Sequence, residues 1–481
     1  MLADFAHLPG DHPRPGRSRN PIWASLLAVL LALPASVWLW GYTVDDALIT
    51  ARVATHLAQG LGPRFNLHGP SADAVTPFGY AHLLALFGAR DVLQTLAWAK
   101  CFGLAAWLLA AALLGRLIAG IGARPLRFTP LLLVALSAPL AAWAVSGMET
   151  GLVTLLTTLG LLDGLAFASC LGVAAALRPE LLPFAWLLVA TRLRLNHTSG
   201  RRLALLAGSV ALPALLVALL RWVCFGRAVP LSFYAKPSDF AHGLRYALGA
   251  FAFTGLPWLL LATPRELRRL PRAAWPLFAA LFAHGAALVL CGGDWMALYR
   301  LAVPVLPAAA LAAAHLAEHA RLGFAIARFA LALGGALLLA VGLGPAASRV
   351  GEERRQLIER ARPVLAHDAR IVALDVGWVG AASQADVIDL AGVTDPQVAL
   401  FPGGHTSKRI PGAWLFAQRP TAVVLLLSRG TELSTRFEES VFARAVEQRV
   451  ASLIAAEFRV RTRLALGDQT YIVLEPRATS D

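Results

Sequence analysis

About eleven apolar runs, spread over residues 22–344, are the feature that most restricts how this chain can fold. The first covers residues 22–39, and the others lie at roughly 94–115, 129–146, 150–163, 164–177, 180–193, 203–222, 245–262, 274–291, 301–319 and 323–343. Runs of this length suit membrane-crossing helices, although the three between 150 and 193 are too short to cross upright. Because 57% of the residues are hydrophobic and only 15% are charged, the sequence predicts an α-helical, multi-pass membrane bundle.

The net charge of +14 reflects membrane topology, because the basic residues fall mostly in short segments between apolar runs. Such segments are 13–20, 192–202 and 265–272. Their bias places the N-terminus, including a disordered tail at 1–21, in the cytoplasm of a cell whose inner or plasma membrane holds the bundle. An odd number of spans then leaves the C-terminus outside. Nucleic acid is excluded as a partner, since it would need one continuous basic face.

The character of the chain changes after about residue 345. Strand-like runs at 369–375, 386–390 and 421–427 are bounded by turn residues, and a helical pattern covers 440–458. We therefore expect three parts: the tail 1–21, a membrane domain 22–344 whose first extracytoplasmic loop is 42–93, and an extracytoplasmic α/β domain at 345–481.

The residues that can carry chemistry all fall at the predicted outer ends of the apolar runs. Scattered charges would divide between the two faces, so their common side indicates a site there. As catalytic candidates we take Asp45 and Asp46, and as candidates for binding a donor phosphate or substrate we take Arg52, Glu149, Arg178, Glu180, Tyr234, Lys236, Asp294 and Arg300.

Asp45 and Asp46 open a predicted interfacial helix on which Arg52 and His56 share a face with Asp45, because seven residues make nearly two turns. Two adjacent carboxylates titrate together, and each raises the pKa of the other, so Asp45, with Asp46 as the alternate, suits a general base. Each is also a plausible helix cap. A divalent cation, Mg or Mn, is a further option at the pair, although the chemistry does not need one.

The cations Arg178, Lys236 and Arg300 suit a phosphate, which Arg binds bidentately and Lys as a point charge. Two simpler interpretations stay open. Arg178 can pair with Glu180 or Glu149 to hold short helices together, and Arg300 can extend to the membrane interface.

Six blocks of the sequence, in order, resemble one family. It is the polytopic glycosyltransferases of the GT-C fold, and in particular the actinobacterial arabinofuranosyltransferases that cap cell-wall arabinan. The blocks are DDALITARVATHLAQGLGPRFN, SGMETGL, LRPE, PLSFYAK, GGDWMALYRLAVPVLP and DVGWVGAASQADVIDLAGVTDP, between about 42 and 400.

The resemblance implies inverting transfer of a sugar from a polyprenyl-phosphate donor to a cell-envelope glycan or glycolipid, on the outer face of the membrane. It places the acid pair of the family on Asp45 and Asp46 and its acidic loop residue on Glu149. It also supports Arg178, Lys236, Asp294 and Arg300 as site residues. No nucleotide is expected, which agrees with the lack of a P-loop pattern.

A transporter or lipid-linked-sugar flippase is the main alternative, since many spans and charged residues suit it. Transporters of that kind often have inverted repeats and binding sites at the middle of the bilayer. The sequence has no matching halves, and its acids lie at one face. A non-catalytic assembly subunit is a weaker alternative.

Overall fold

The computed structural model describes residues 22–88, 90–195 and 199–477, so the predicted tail at 1–21 lies outside the described residues. A helical bundle comes first, and a small domain built on one mixed sheet follows it. The helices of the bundle are α1 Ile22–Trp38, α2 Asp45–Ala58, α3 Tyr80–Ala85, α4 Val92–Ala119, α5 Thr129–Ala135, α6 Ala138–Ala144, α7 Thr150–Leu159, α8 Leu165–Leu177, α9 Leu182–Leu195, α10 Gly200–Phe225, α11 Leu231–Ala235, α12 Phe240–Phe253, α13 Pro264–Arg269, α14 Trp275–Leu290, α15 Leu306–Ala317 and α16 Leu322–Ala347.

Five helices within the described ranges are long and apolar enough to cross a membrane, and a sixth span is formed if the bent pair α5 and α6 counts as one. The five lie at Val92–Ala119, Gly200–Phe225, Arg272–Leu290, Arg300–Ala317 and Leu322–Leu365. The prediction of an α-helical multi-pass membrane protein is confirmed.

Several predicted runs form shorter helices than a full crossing needs. The three runs between 150 and 193 become α7, α8 and α9, with 10, 13 and 14 residues. A helix of 14 residues extends only about 21 Å, less than the hydrocarbon core of a bilayer. The pair α5 and α6 bends by 52° at its break. The number of apolar runs therefore exceeds the number of full-length spans.

The last span continues out of the bundle as α17, Val350–Leu365, and carries the chain into the sheet domain. Gly41, just after α1, packs against this junction, and its carbonyl accepts a hydrogen bond of 2.6 Å from the amide of Gly351. A side chain at Gly41 would collide with the backbone of Ser348. This close approach fixes the start of α2 beside the sheet domain.

The sheet domain has five strands in the order β2-β1-β3-β5-β4, where β1 is parallel to β2 and β3, and β5 is antiparallel to β3 and β4. Buried Val and Leu residues of β3 fill the centre of its core. The strands and remaining helices are β1 Arg370–Ala373, α18 Val376–Ala382, β2 Asp386–Asp389, α19 Pro396–Ala399, α20 Gly412–Ala417, β3 Ala422–Leu426, α21 Ala445–Ile454, β4 Phe458–Leu466 and β5 Gln469–Pro476.

The three predicted strands coincide with β1, β2 and β3, so the α/β class of this domain is confirmed. The predicted helix at 440–458 is shorter, because α21 covers only Ala445–Ile454. The hairpin of β4 and β5 was not predicted. In its first strand Arg459, Arg461 and Arg463 alternate with mostly apolar residues, which is the period-2 pattern of a half-buried strand.

Candidate active site

The larger of two neighbouring cavities lies where the bundle meets the sheet domain and has a volume of about 540 Å³. Its walls come from α2, the loop at 74–77, the ends of α8 and α14, the segment around α11 and the loop at 293–301. Apolar side chains line most of it. The structure brings together six of the predicted residues at this cavity: Asp46, Arg178, Glu180, Lys236, Asp294 and Arg300.

Arg300 forms one centre of charge in this cavity. Its Nε lies 2.8 Å from Oδ2 of Asp294, and its Nη1 lies 3.9 Å from Oδ2 of Asp46. The guanidinium also lies over the ring of Trp143, with 5.5 Å from Cζ to the ring centroid. Since only 8% of Arg300 is exposed, its side chain does not extend to the membrane interface.

A second centre of charge lies around Arg178, which pairs with the fully buried Glu149 and lies 3.8 Å from Glu180. The simpler interpretation of Arg178, an ion pair that holds short helices together, therefore holds. Arg178 also lines the cavity, so the pair orients a cation that still faces the open volume. Glu149 supports Arg178 from behind and is not part of the cavity wall.

A strained turn places Asp294 and Arg300. Gly292 and Gly293 have φ of 84° and 68°, and Leu298 and Tyr299 have φ of 61° and 51°, which non-glycine residues seldom adopt. The carbonyl of Leu298 accepts a hydrogen bond of 3.0 Å from the indole of Trp143, which holds the turn.

The cations keep the Asp294 carboxylate charged. Burial alone raises the pKa of Asp294, but Arg300, Lys236 and Arg178 lower it by more, so the pKa lies below its ordinary value. Within the described residues, no carboxylate lies within salt-bridge distance of Lys236, whose charge thus remains available to a ligand. The cavity therefore offers a cationic site for an anion next to the ionised Asp294.

Asp45 and Asp46 have different environments, although they are adjacent. Oδ2 of Asp45 accepts a hydrogen bond of 2.7 Å from the amide of Gly377, and Oδ1 accepts one of 3.0 Å from the amide of Trp378. Arg354 adds a contact of 3.2 Å to Oδ1. Successive residues of a helix point about 100° apart, so Asp46 faces the larger cavity while Asp45 faces α18.

The pKa of Asp45 rises to about 7 because the side chain is buried, while Arg354 and the two amides act in the opposite direction. Among neighbouring charges, that of Asp375 raises the pKa of Asp45 most. The sequence had instead suggested that the adjacent Asp46 would raise it. Asp45 is therefore placed as a link between α2 and the sheet domain and borders a smaller cavity there, whereas Asp46 is the member of the pair that lines the larger cavity.

Arg52 lies away from the larger cavity, contrary to its prediction as a phosphate ligand. It is 2% exposed, and its guanidinium donates to the carbonyls of Phe65, Gly380, Ser383 and Ala385. Those of Gly380 and Ser383 belong to the last turn of α18 and the residue that follows it. A cation suits a helix C-terminus just as Asp45 suits the N-terminus of the same helix.

Asp45 and Arg52 together hold α18 at both ends, and we call this arrangement the α2–α18 clamp. Asp45 and Arg52 are seven residues apart and therefore lie on the same face of α2. The sequence suggested that this face binds substrate, but in the structure it contacts both ends of α18. Asn66 strengthens the docking, since its side-chain amide exchanges two hydrogen bonds of 2.9 Å with the backbone of Val387 in β2.

Gly377→Ala tests the clamp by sterics. A Cβ at Gly377 would collide with the backbone oxygen of Asp45 and lie 2.8 Å from its carboxylate carbon. We expect a loss of about 1–3 kcal/mol in stability, seen as a lower melting temperature in detergent. Gly412→Ala is the control, because its Cβ would meet only Leu453 at 3.4 Å. Equal melting temperatures for both variants would contradict the close approach.

Tyr234 does not line either cavity at the junction of bundle and sheet domain. It is 37% exposed, packs edge-on against Phe233, and lies under Arg227 with 5.5 Å from Cζ to the ring centroid. Its role as a substrate ligand is not supported by this position. Its neighbour Phe233 lines the cavity in its place.

The smaller cavity, of about 330 Å³, lies on the sheet-domain side of the larger one and shares Asp46, Lys236 and Asp294 with it. Its polar and aromatic lining residues that were not predicted as site residues include Trp295, Arg354, Asp375, His405 and Arg444. Trp295 and Asp375 belong to the sequence blocks GGDWMALYR and DVGWVG, and this membership is the sequence feature that could have marked them as site residues. Nothing local in the sequence distinguishes the other three.

Arg221 and Asp73 were also not predicted. The Nε of Arg221 lies 2.8 Å from Oδ2 of Asp73, and a second nitrogen donates to the carbonyl of Thr76. The hydroxyl of Thr76 lies 2.8 Å from that of Ser232. These contacts hold the loop that forms one wall of the larger cavity.

A divalent cation fits poorly at Asp45 and Asp46. Both oxygens of Asp45 already accept backbone amides. Across the part of the chain that the structure describes, no group of three His, Cys, Asp or Glu side chains is arranged to hold a metal.

Comparison with known proteins adds two matches. Residues 348–474, the sheet domain, match a family model described as Domain of unknown function (DUF8728). No curated protein matches the sequence. Among solved structures, the crystal structure of ArnT from Cupriavidus metallidurans bound to undecaprenyl phosphate is similar over 93% of this chain and 97% of that chain, with 14% identity and a TM-score of 0.54.

The similarity to ArnT covers both the bundle and the sheet domain. At 14% sequence identity it supports a shared fold and nothing more specific. The likeness to arabinofuranosyltransferases, drawn from the sequence blocks, stays a prediction. With apolar helices long enough to cross a membrane and this structural neighbour, the chain is a multi-pass membrane protein with the GT-C fold.

Proposed function

We propose that this protein is a membrane glycosyltransferase that moves a sugar from a polyprenyl-phosphate donor to a hydroxyl of a cell-envelope glycan or glycolipid. The observation that carries the proposal is the larger cavity, where Arg178, Lys236 and Arg300 converge with Asp46 in a largely apolar wall. An isoprenoid phosphate needs those two features side by side. The similarly folded ArnT was crystallised with undecaprenyl phosphate.

The three cations bind the donor phosphate and stabilise the charge that grows on it as the bond to the sugar breaks. Their positions are fixed before substrate arrives, since Glu149 holds Arg178 and Asp294 holds Arg300. Such preorganised charges act most strongly where water is excluded. Ile49, Phe233, Leu290 and Leu301 contribute apolar surface for the first isoprene units.

Asp46 acts as the general base. The acceptor oxygen forms a new bond to the anomeric carbon, the bond from that carbon to the phosphate oxygen breaks, and its electron pair leaves with the polyprenyl phosphate. The acceptor proton passes to Asp46. In-line attack from the side opposite the phosphate inverts the anomeric centre.

The topology in this proposal comes from the sequence alone. The charge bias favours a site and a sheet domain outside the cytoplasm. The resemblance does not assign arabinose, because segment 74–80 lacks the Glu of the Glu-Gly-Tyr-Thr-like segment that such proteins commonly carry after the Gly/Asn loop. A divalent cation is not required by this mechanism. Metal-free protein, prepared with a chelator, should therefore retain transfer.

Transfer is tested with purified protein in lipid nanodiscs, a set of radiolabelled polyprenyl-phosphate sugars and envelope glycan from a strain that lacks the protein. Label appearing in the glycan supports the proposal, and label remaining on lipid throughout contradicts it. The same donors in sealed vesicles separate the enzyme from a flippase, which would move label across the membrane without acceptor glycan.

Lys236→Gln is expected to raise the donor KM by about tenfold, which corresponds to about 1.4 kcal/mol, because it removes one charge contact to the phosphate. Arg227→Gln is the control, since Arg227 belongs to the same segment but does not line either cavity. Initial rates against donor concentration give the measurement. Equal KM values for the two variants would exclude Lys236 as a phosphate ligand.

A further inference from the structure

The smaller cavity continues the larger one on the side of Asp46 that faces the sheet domain. The two share Asp46, Lys236 and Asp294, so a group bound in the smaller cavity lies beside the base that the proposed function assigns. Its lining is more polar than the mostly apolar wall of the donor cavity. An acceptor hydroxyl must approach from outside the donor site, and this cavity provides such an approach.

An exposed tryptophan forms one wall of the smaller cavity. Trp295 is 63% exposed, and its ring stacks on His242 with centroids 3.9 Å apart and planes 16° apart. His242 is itself fixed, because its Nδ1 lies 2.7 Å from the carbonyl of Gly292. The indole is thus held at a fixed angle.

The position of Trp295 differs from that of a tryptophan in an interfacial belt. His405 of the sheet domain lies near it, with ring centroids 5.8 Å apart and planes 55° apart. Trp222, which is also 63% exposed, lies instead within the membrane-crossing helix α10. With 63% of its surface exposed, Trp295 presents apolar ring surface to the smaller cavity.

The polar groups around Trp295 suit hydroxyl ligands. Arg354 and Arg444 are held by Asp45 and Asp375, which leaves Asp46, Lys236 and His405 directed to the cavity. Burial, with Lys236 adding to it, lowers the pKa of His405 to about 4, so its imidazole is neutral at neutral pH. A neutral imidazole both donates and accepts hydrogen bonds, as a hydroxyl does.

We propose that the smaller cavity is the acceptor subsite and takes a sugar ring, whose C–H face lies on Trp295 while one hydroxyl reaches Asp46. This assignment rests on the proposed function. A sugar ring combines an apolar face with a rim of hydroxyls, which matches an indole face bordered by a carboxylate, an ammonium and an imidazole. The acceptor class is therefore carbohydrate and not a peptide hydroxyl.

The test uses full-length protein in nanodiscs without donor, and methyl glycosides and short oligosaccharides of hexoses and pentoses as probes. Saturation-transfer NMR should show contact to ring C–H protons for at least one probe. Trp295→Ala should weaken that binding at least tenfold, Trp295→Phe should recover part of it, and the matched control Trp222→Ala should bind as the wild type does.

Equal sugar binding by Trp295→Ala and wild type overturns the acceptor assignment, and so does transfer of label to serine peptides in preference to sugars. Binding of undecaprenyl phosphate, measured on the same preparation by native mass spectrometry, separates the two proposals. Protein that binds the lipid phosphate but none of the sugars contradicts only the acceptor subsite. Protein that binds neither contradicts the proposed function and, with it, the subsite.

Discussion

Asp46→Asn is expected to lower kcat for sugar transfer by roughly 10² to 10⁴-fold, the range that a positioned general base contributes. The amide has the shape of the carboxylate but cannot take the acceptor proton. Asp294 keeps its contact of 2.8 Å with Arg300, so the cation site stays charged and ordered. Binding of undecaprenyl phosphate should change little, which separates a defect in chemistry from one in donor binding.

Asp91→Asn is the matched control for Asp46→Asn. Asp91 is an exposed helix cap of α4, where Asn caps about as well, and it does not line the larger or the smaller cavity. Both variants should melt at temperatures close to that of the wild type. If Asp46→Asn kept more than half of the wild-type kcat while Asp45→Asn folded normally and lost it, the base would be Asp45.

Arg52→Met is expected to release the sheet domain from the bundle. Methionine keeps much of the apolar stem but leaves the carbonyls of Phe65, Gly380, Ser383 and Ala385 without their donor in a buried site. Unpaired buried carbonyls cost about 1–3 kcal/mol each, and partial relaxation gives a total of roughly 3–5 kcal/mol. Asp46 and the wall of the smaller cavity would then separate, so transfer should fall as well.

Hydrogen exchange measured by mass spectrometry locates that defect. In Arg52→Met, amides of α18 and β2 should exchange much faster, because the α2–α18 clamp has lost one end. Arg328→Met is the control, since Arg328 is a similarly buried arginine that binds Glu266 and the carbonyl of Leu261 within the bundle. Unchanged protection of α18 in Arg52→Met would show that the clamp does not hold the domain.

Much of the fold can be predicted from the sequence because its signals are local. Apolar runs mark the helices of the bundle, and short runs with β-branched residues, bounded by turn residues, mark β1, β2 and β3. The hairpin β4–β5 was not predicted, although the arginines of β4 alternate with mostly apolar residues and so give a local strand signal as well. The number of complete membrane spans was also not predicted, because the length of an apolar run does not distinguish a membrane-crossing helix from a shorter helix packed inside the bundle.

The residues of the site were predicted less accurately than the helices and strands. Counting spans brought Asp46, Arg178, Lys236, Asp294 and Arg300 to one end of the bundle, where the structure has them around one cavity. Counting spans could not distinguish Arg300 from Arg52. Arg300 faces that cavity, whereas the guanidinium of Arg52 donates its hydrogen bonds to backbone carbonyls. Both are single arginines in polar segments beside apolar helices.

The sequence by itself determined that α2 carries Asp45 and Arg52 on one face and Asp46 on another, because a helix turns by a fixed angle per residue. Only the tertiary structure decided what each face meets. The partners that Asp45 and Arg52 find at α18, such as Gly377 and Gly380, lie more than 300 residues further along the chain. Helical periodicity is a property of neighbours in sequence, whereas the choice between a structural anchor and a cavity-facing acid depends on which distant segment packs against the helix.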